Sequence, residues 1–332
     1  MSIVPSEIRW NKSQVVSDGG SNGGRISAVV SPNAVKNNDF PDVTLSERTT
    51  GIRRYRKLFV KIANDADLVL QNCRAFMQLN TPGDDAVTFF PGTQRDVQSS
   101  LLGTERLYGA GRLNAQANAG ALTFQVITEG AALNYLRTGD LIRITDKTTL
   151  ADSGAEEFHV ASNVSYAGDI ATVTIPAPGL ANSFAAGVSG VSSVYVAGDV
   201  KTVISAPAKT SAAGTVDFGA HPILGDNIGT TEQDWTLTFT SPTAFNIVGD
   251  TVGNVGAGNV SSNTAPANPL ESSKPYFTIQ SAAFGGTFAP GDTITFTTSP
   301  AALPLWHRQD VPAGAAALSG NRVITGVDGE SA

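Results

Sequence analysis

The sequence of 332 residues contains few of the residue types that usually carry chemistry. It has one cysteine, Cys73, together with three histidines and three tryptophans, and 15% of its residues are charged. A single cysteine excludes an internal disulfide and a cysteine-rich zinc site. We therefore expect stability to come from packing or from partner subunits.

Long apolar runs are also missing. No window approaches the roughly 18 to 20 apolar residues that a membrane-spanning helix needs. The first ten residues lack the charged and apolar segments of a secretory signal. The sequence predicts no membrane partner, and we expect the protein to stay in the cytosol until it is assembled into a larger structure.

The residues that could support catalysis are scattered. His159, His221 and His307 lie far apart in unlike contexts, so no local histidine pair indicates a metal site. Cys73 lies in a strand-like segment without a nearby histidine, which favours a small buried side chain over a nucleophile. No phosphate-binding glycine loop or nucleophile elbow is present. The sequence predicts a protein that is not an enzyme and uses no cofactor.

Acidic pairs provide one alternative. Asp84-Asp85 and Glu156-Glu157 could indicate a glycosidase pair or a cation site. Adjacent residues of a strand point to opposite faces, however, and no calcium-binding loop motif is present. We predict no catalytic residue and no metal ligand, and a structural cation is left open as an alternative.

What the sequence does contain is a cassette used five times, in which Gly-Asp precedes an alternating apolar run. The copies begin at Gly139, Gly168, Gly198, Gly249 and Gly291. Glycine accepts a positive φ, aspartate bonds its own backbone in turns, and the following valine, isoleucine and threonine residues suit a strand. Each copy therefore predicts a turn that begins a strand.

Further patterns also indicate β-structure. Residues 235–240 and 293–297 alternate between apolar and polar, as half-buried antiparallel strands do. Residues 57–62 and 68–70 are β-prone runs separated by asparagine and aspartate, which predicts a hairpin. Residues 253–269 are rich in glycine, asparagine, serine and proline, which predicts a long loop.

One short helical turn is expected near the N-terminus. Thr44 precedes Glu47 by three residues, the spacing of a capping box.

These patterns predict a mainly β protein with two antiparallel β-sandwich or barrel-like lobes and extended N- and C-terminal arms. The middle lobe is the cassette-dense part of the chain, and we place it as an insertion in a discontinuous β-domain. The expected division is an extended N-terminal arm at 1–40, the first part of a β-domain at 41–112, an inserted β-rich lobe at 113–206, the second part of the β-domain at 207–312 and a C-terminal tail at 313–332.

Charge is unevenly spread along the chain. Fourteen of the 22 lysine and arginine residues lie in the first 112 positions, whereas the net charge is −7. The acidic balance argues against a general nucleic-acid binder, so we expect none as a partner. A basic region of one copy could instead meet an acidic region of the next. The predicted subunit-contact residues are Trp10, Arg53, Arg54, Arg56, Lys57, Trp306 and Arg308.

Several motifs, taken in order, resemble an uncharacterised family of tailed-bacteriophage virion structural proteins. They are Ser6-Glu7-Ile8-Arg9-Trp10, Asn22-Gly23-Gly24-Arg25, Phe40-Pro41-Asp42-Val43, Glu47-Arg48, Tyr55-Arg56-Lys57-Leu58-Phe59, Thr104-Glu105-Arg106-Leu107-Tyr108-Gly109, Gly291-Asp292-Thr293-Ile294-Thr295-Phe296, Pro304-Leu305-Trp306 and Val311-Pro312-Ala313-Gly314. The resemblance covers nearly the whole chain.

The resemblance implies a non-enzymatic, multi-copy virion subunit of the neck (collar), tail or baseplate, made in the host bacterial cytoplasm. Its expected partners are other copies of itself and other virion proteins. Two alternatives stay open: a capsid decoration protein, and a carbohydrate-binding adhesin or receptor-binding module, which would bind a glycan. The last would need exposed aromatic platforms, and Trp10, Trp235 and Trp306 are the only tryptophans.

Overall fold

The structure is a computed structural model that describes residues 2–128, 133–149 and 151–331. It is mainly β and its sheets are antiparallel, which confirms the predicted fold class. One short α-helix, α1 (Leu45–Thr50), and single 3₁₀ turns at Pro5–Glu7, Gln98–Ser100 and Ser281–Ala283 accompany the strands.

The strands of the first half are β1 (Ile8–Val15), β2 (Gly23–Val30), β3 (Ile52–Ile62), β4 (Leu70–Leu79), β5 (Ala86–Pro91), β6 (Ala110–Leu113), β7 (Thr123–Ile127), β8 (Leu141–Thr145), β9 (Glu156–Val160), β10 (Asn163–Ala167) and β11 (Ile170–Thr174). Those of the second half are β12 (Gly190–Val200), β13 (Val203–Ile204), β14 (Ala208–Lys209), β15 (Gly214–Val216), β16 (Gln233–Phe239), β17 (Ala244–Gly249), β18 (Gly253–Asn259), β19 (Phe284–Gly286), β20 (Thr293–Ser299), β21 (Ala302–Val311) and β22 (Ile324–Ser331).

Two sheets pack face to face and form a sandwich that we call the body. The first has the order β2-β1-β3-β21-β5, and the second has nine strands along the path β10-β11-β7-β6-β12-β4-β22, with β8 and β9 branching from β12. Three buried clusters join them, and in one of these Val60, Phe89 and Leu305 of the first sheet meet Ala75 and Met77 of the second. Apolar burial between these sheets therefore holds the body together.

Residues 203–299 form a separate unit that we call the third lobe, counting the two sheets of the body as the first two. Its main sheet has the order β13-β20-β16-β17-β18, with β14 beside β20, and β15 pairs with β19. Its buried cluster is centred on Trp235, Leu237 and Phe277 and contains residues of this lobe only. The strand β16 alternates buried and partly exposed side chains, which confirms the strand expected at 235–240.

The sheets divide the chain differently from the expected domains. Of the range 207–312, only β21 joins the first sheet, while the other strands belong to the third lobe. The nine-stranded sheet takes β4 from before the cassette-dense range and β22 from the expected tail. Long-range strand pairing, which local patterns do not encode, sets these boundaries.

Three of the five cassettes begin strands as predicted. The glycines at 139, 168 and 291 have φ of +91°, +59° and +95° and precede β8, β11 and β20. The prediction is wrong for Gly198, which lies inside β12 at a shift in its register with β4. Gly249 ends β17, packed closely against Trp235, and the turn at 250–252 precedes β18, so this strand begins two residues later than predicted.

The capping box is confirmed. Thr44 is the N-cap of α1; its hydroxyl accepts a hydrogen bond from the Glu47 backbone N–H at 3.3 Å, and the Glu47 carboxylate accepts one from the Thr44 backbone N–H at 2.8 Å. The hydrogen bond from the Thr44 backbone N–H lowers the pKa of Glu47 most strongly, and the Thr44 hydroxyl, which donates to the same carboxylate at 2.9 Å, lowers it further.

The hairpin expected between 57 and 70 is wrong. β3 and β4 belong to different sheets, and the chain turns between them at Asn64, whose side chain accepts hydrogen bonds from the backbone N–H groups of Ala66 and Leu68.

The long loop expected at 253–269 is also corrected, because its first part is the edge strand β18. Backbone pairing with β17 stabilises β18 despite its three glycines.

Both expected arms are built into the body. β1 pairs with β3 and β2 pairs with β1, while β22 pairs with β4. Main-chain hydrogen bonds to an existing sheet offset the entropy that the glycine-rich ends lose. Among the described residues, no helix is long and apolar enough to cross a membrane.

The separate cores predict separate unfolding of the third lobe. Leu237→Ala, at a fully buried position of this lobe, should lower the free energy of unfolding by about 2 to 5 kcal/mol through lost packing. In calorimetry, one transition should move to lower temperature while the body transition stays in place. Leu270→Ala, at a 73% exposed position, is the matched control. A single transition that shifts as a whole would contradict the separation.

Candidate functional site

The seven predicted contact residues all lie in the first sheet. Trp10 is in β1, the four basic residues are in β3, and Trp306 and Arg308 are in β21, where Trp306 is the register partner of Lys57. Burial corrects the prediction for most of them: Arg54, Arg56, Lys57, Trp306 and Arg308 are between 0% and 7% exposed within this chain. Their side chains are thus not available to another copy in this conformation.

Lys57 is held in a buried junction. Its ammonium donates to Asp96 Oδ1 at 2.6 Å and to the Gly24 carbonyl at 2.6 Å, and it lies 4.9 Å from the ring centroid of Phe59. The other carboxylate oxygen of Asp96 accepts the Trp306 indole N–H at 2.8 Å. Burial lowers the pKa of Lys57, and Asp96 opposes that effect.

Glycine at 23 makes this junction sterically feasible. Gly23 has a φ of +104°, and a Cβ there would lie 2.6 Å from the Trp306 ring. Next to it, the buried Asn22 side chain donates to the Tyr55 carbonyl at 2.9 Å and to Gln98 at 3.0 Å. The Asn-Gly-Gly segment is therefore a packed corner of the body rather than part of a mobile arm.

Arg54 and Arg56 bind acidic residues of the same chain. Arg54 pairs with Glu47 of α1, and Arg56 pairs with Asp18 at 2.7 Å and donates to the Asp39 carbonyl at 2.8 Å. These pairs attach the helix and the 31–40 loop to β3.

At the end of β3 the charges are more exposed. Asp310 accepts Arg53 Nε at 2.6 Å and Arg308 Nε at 2.6 Å. The Arg53 side chain is 50% exposed, so this residue keeps the surface position that a subunit contact needs.

Trp10 is half-buried and packs its ring edge-on against His307, with 5.9 Å between the centroids. His307 is buried in β21; its Nε2 lies 3.0 Å from the hydroxyl of Thr325 in β22, and its Nδ1 has no partner. Burial lowers the pKa of His307 to about 4, and the nearby Asp39 only partly opposes this. A neutral imidazole thus connects the first and last strands of the body.

Sequence reasoning missed a second set of basic residues, which connects the body to the third lobe. Arg25 pairs with Asp250; the other pairs are Arg95 with Glu232 and Asp234, both at 2.6 Å, Lys61 with Glu271 at 2.7 Å, and Arg9 with Glu271 at 3.9 Å. The basic N-terminal part does meet an acidic part, but within one chain. The uneven charge along the sequence was the available signal.

The described residues show no metal centre: no three His, Cys, Asp or Glu side chains among them form a group that could hold an ion. Cys73 is buried and burial raises the pKa of its thiol to about 12, which disfavours a thiolate nucleophile. Glu156 binds Arg143 and Lys147, whereas Glu157 accepts the Ala181 and Asn182 backbone N–H groups. The neighbouring acids therefore hold different segments.

Comparison of the chain with protein-family models, curated proteins and solved structures found no match.

The packing of Gly23 against Trp306 yields a stability prediction. Gly23→Ala should lower the free energy of unfolding by about 2 to 4 kcal/mol, because the added Cβ meets the indole and the positive φ is unfavourable. Denaturant titration measures the change. Gly19→Ala, where a Cβ would meet only the Ser17 hydroxyl at 3.9 Å, should be near neutral. Equal stability of the two variants would contradict the role of Gly23.

His307 predicts a pH-dependent loss of stability. Its pKa is about 4 in the folded chain against an ordinary 6.5, so the unfolded chain binds the proton first as pH falls. This residue should therefore cost up to about 3 kcal/mol between pH 6.5 and pH 4. His307→Gln should flatten the profile over that window relative to the wild type. His221→Gln, at a partly exposed position, should leave the profile unchanged, and parallel wild-type and His307→Gln profiles would contradict the assignment.

Proposed function

We propose that the protein is a non-enzymatic structural and assembly subunit of a tailed-phage particle, located in the neck (collar) or in the tail or baseplate. In this role it joins other copies of itself and other virion proteins. The ordered motifs described above support the proposal through their resemblance to virion structural proteins, and the sandwich body offers sheet edges for such contacts.

The observation that carries the proposal is the open edge of the first sheet. β2 pairs with β1 on one side, and no described strand pairs with its other side. Only the start of β2 is covered there, because Gly23 bridges Val97 and the Gly24 N–H donates to the Asp96 carbonyl at 2.8 Å. Val29 and Val30 at its end are 59% and 45% exposed. The later part of this edge has no strand beside it and exposes apolar side chains, and such an edge is a site where a strand of another chain adds to the sheet.

The edge of β2 also lacks free charged side chains that would oppose the addition of another strand. It contains no lysine or proline, and its one charged residue, Arg25, is occupied by Asp250 of the same chain. The edge strand β22, by contrast, carries the exposed Asp328 and Glu330. Because charges on an edge oppose strand addition, β2 is the better contact surface of the two.

The carbohydrate-binding alternative has less support. Trp235 and Trp306 are 1% and 0% exposed and Trp10 packs on His307, so the tryptophans do not offer the open aromatic platforms that sugar binding would use.

Charge placed on the β2 edge should abolish assembly. The double variant Val29→Asp/Val30→Asp should fold, since both side chains are exposed, but should be lost from purified particles, as measured by quantitative mass spectrometry. Leu102→Asp, at an 84% exposed loop position, is the matched control and should be incorporated normally. Incorporation of the double variant at the wild-type level would contradict the proposal.

An image of the intact particle in which this chain is traced distinguishes the candidate positions in the particle. The proposal expects the chain in the neck, tail or baseplate, with a strand beside β2. A chain found on the capsid surface would favour the decoration alternative.

A further inference from the structure

The third lobe touches the body through polar contacts. Its buried apolar cluster contains no residue of the body, and among the described strands none of the lobe pairs with a strand of the body. The two sheets of the body, in contrast, share an apolar cluster. Contact surfaces of the polar kind are typical of domains that move relative to each other.

Charged side chains make much of the contact. In three sets of pairs the basic partner is on the body and the acidic partner on the lobe: Arg25 with Asp250, Arg95 with Glu232 and Asp234, and Lys61 with Glu271. Lys274 of the lobe and Asp65 of the body form a pair of the opposite sense, at 2.6 Å. The Arg95–Asp234 pair keeps access to water, with side chains that are 39% and 49% exposed, whereas the Lys61 and Glu232 side chains are 2% and 5% exposed. Salt weakens the exposed pair most, because buried pairs are screened much less.

Hydrogen bonds complete the contact. The Asn227 backbone N–H donates to Asp67 at 2.7 Å, and the Asn227 side-chain amide donates to the Leu68 carbonyl at 2.9 Å. Lys61 also donates to the Ile228 carbonyl at 2.6 Å. All of these groups can bond water instead when the lobe moves away.

The covalent connection to the body suits a hinge. The chain enters the lobe through Lys201-Thr202, between β12 and β13, and leaves it at Pro300, after β20. Val203 and Ser299 are register partners, so the entry and exit lie side by side. Ala301 is buried and its carbonyl accepts the Ile62 N–H at 2.8 Å, which fixes the exit on the body.

We propose that the third lobe is a hinged unit held against the body by this set of ion pairs, and that it opens when the pairs are screened or removed. Opening returns charges to water and leaves the buried apolar cluster of the lobe intact, so its free-energy cost is small compared with unfolding either unit. The inference does not depend on a virion role.

Hydrogen exchange tests the hinge on the intact protein. Raising the salt from about 0.1 M to about 1 M shortens the Debye length from about 10 Å to about 3 Å. Exchange of the Asn227 amide should then become about tenfold faster, while amides of β16 in the lobe core keep their protection. The radius of gyration from small-angle X-ray scattering should rise in parallel.

The double variant Arg25→Gln/Arg95→Gln should show the open behaviour already at low salt. Lys36→Gln, which removes an exposed ion pair with Asp42 inside the body, is the matched control and should behave like the wild type. An Asn227 amide whose protection changes with neither salt nor the double variant would overturn the proposal. Equal loss of protection at Asn227 and in β16 would also overturn it, because the lobe would then be unfolding rather than opening.

Discussion

The buried ammonium of Lys57 is the interaction on which the body depends. Burying a lysine to 1% exposure lowers the stability of the fold unless its charge is paired and its N–H groups donate hydrogen bonds. Asp96 provides the counter-charge and also accepts a hydrogen bond from the Trp306 indole N–H, while the Gly24 carbonyl accepts a further hydrogen bond from the ammonium. One charge therefore positions the β1–β2 corner, the loop around Asp96 and β21.

The same principle applies to the other basic residues of the N-terminal third. Arg54 and Arg56 hold α1 and the 31–40 loop on β3, and Arg25 and Arg95 hold the third lobe. The basic side chains that cluster in the sequence, and that suggest a surface patch, thus mostly bind other residues of the same chain. The open edge of β2, with its exposed valines, is the better candidate surface for a neighbouring subunit.

Some local signals in the sequence predicted local structure correctly. The alternation at 235–240 and the Thr44–Glu47 spacing depend on neighbouring residues only, and both correspond to elements of the structure. Gly23 illustrates why the rest could not be predicted. Its role depends on the ring of Trp306, which is distant in sequence, and nothing in the glycine run itself indicates that contact. Burial of Arg54 and Lys57 likewise follows from sheets that assemble around β3.

A double-mutant cycle on Lys57→Met and Asp96→Asn tests most directly whether the basic segment is an internal connection. Each single variant should lower the free energy of unfolding by about 3 to 5 kcal/mol, because it leaves a buried charge or acceptor unpaired, and the double variant should lose less than the sum. The folded fraction of each variant should have the same oligomeric state as the wild type. Unchanged stability of Lys57→Met together with a changed oligomeric state would contradict this view and return Lys57 to a subunit contact.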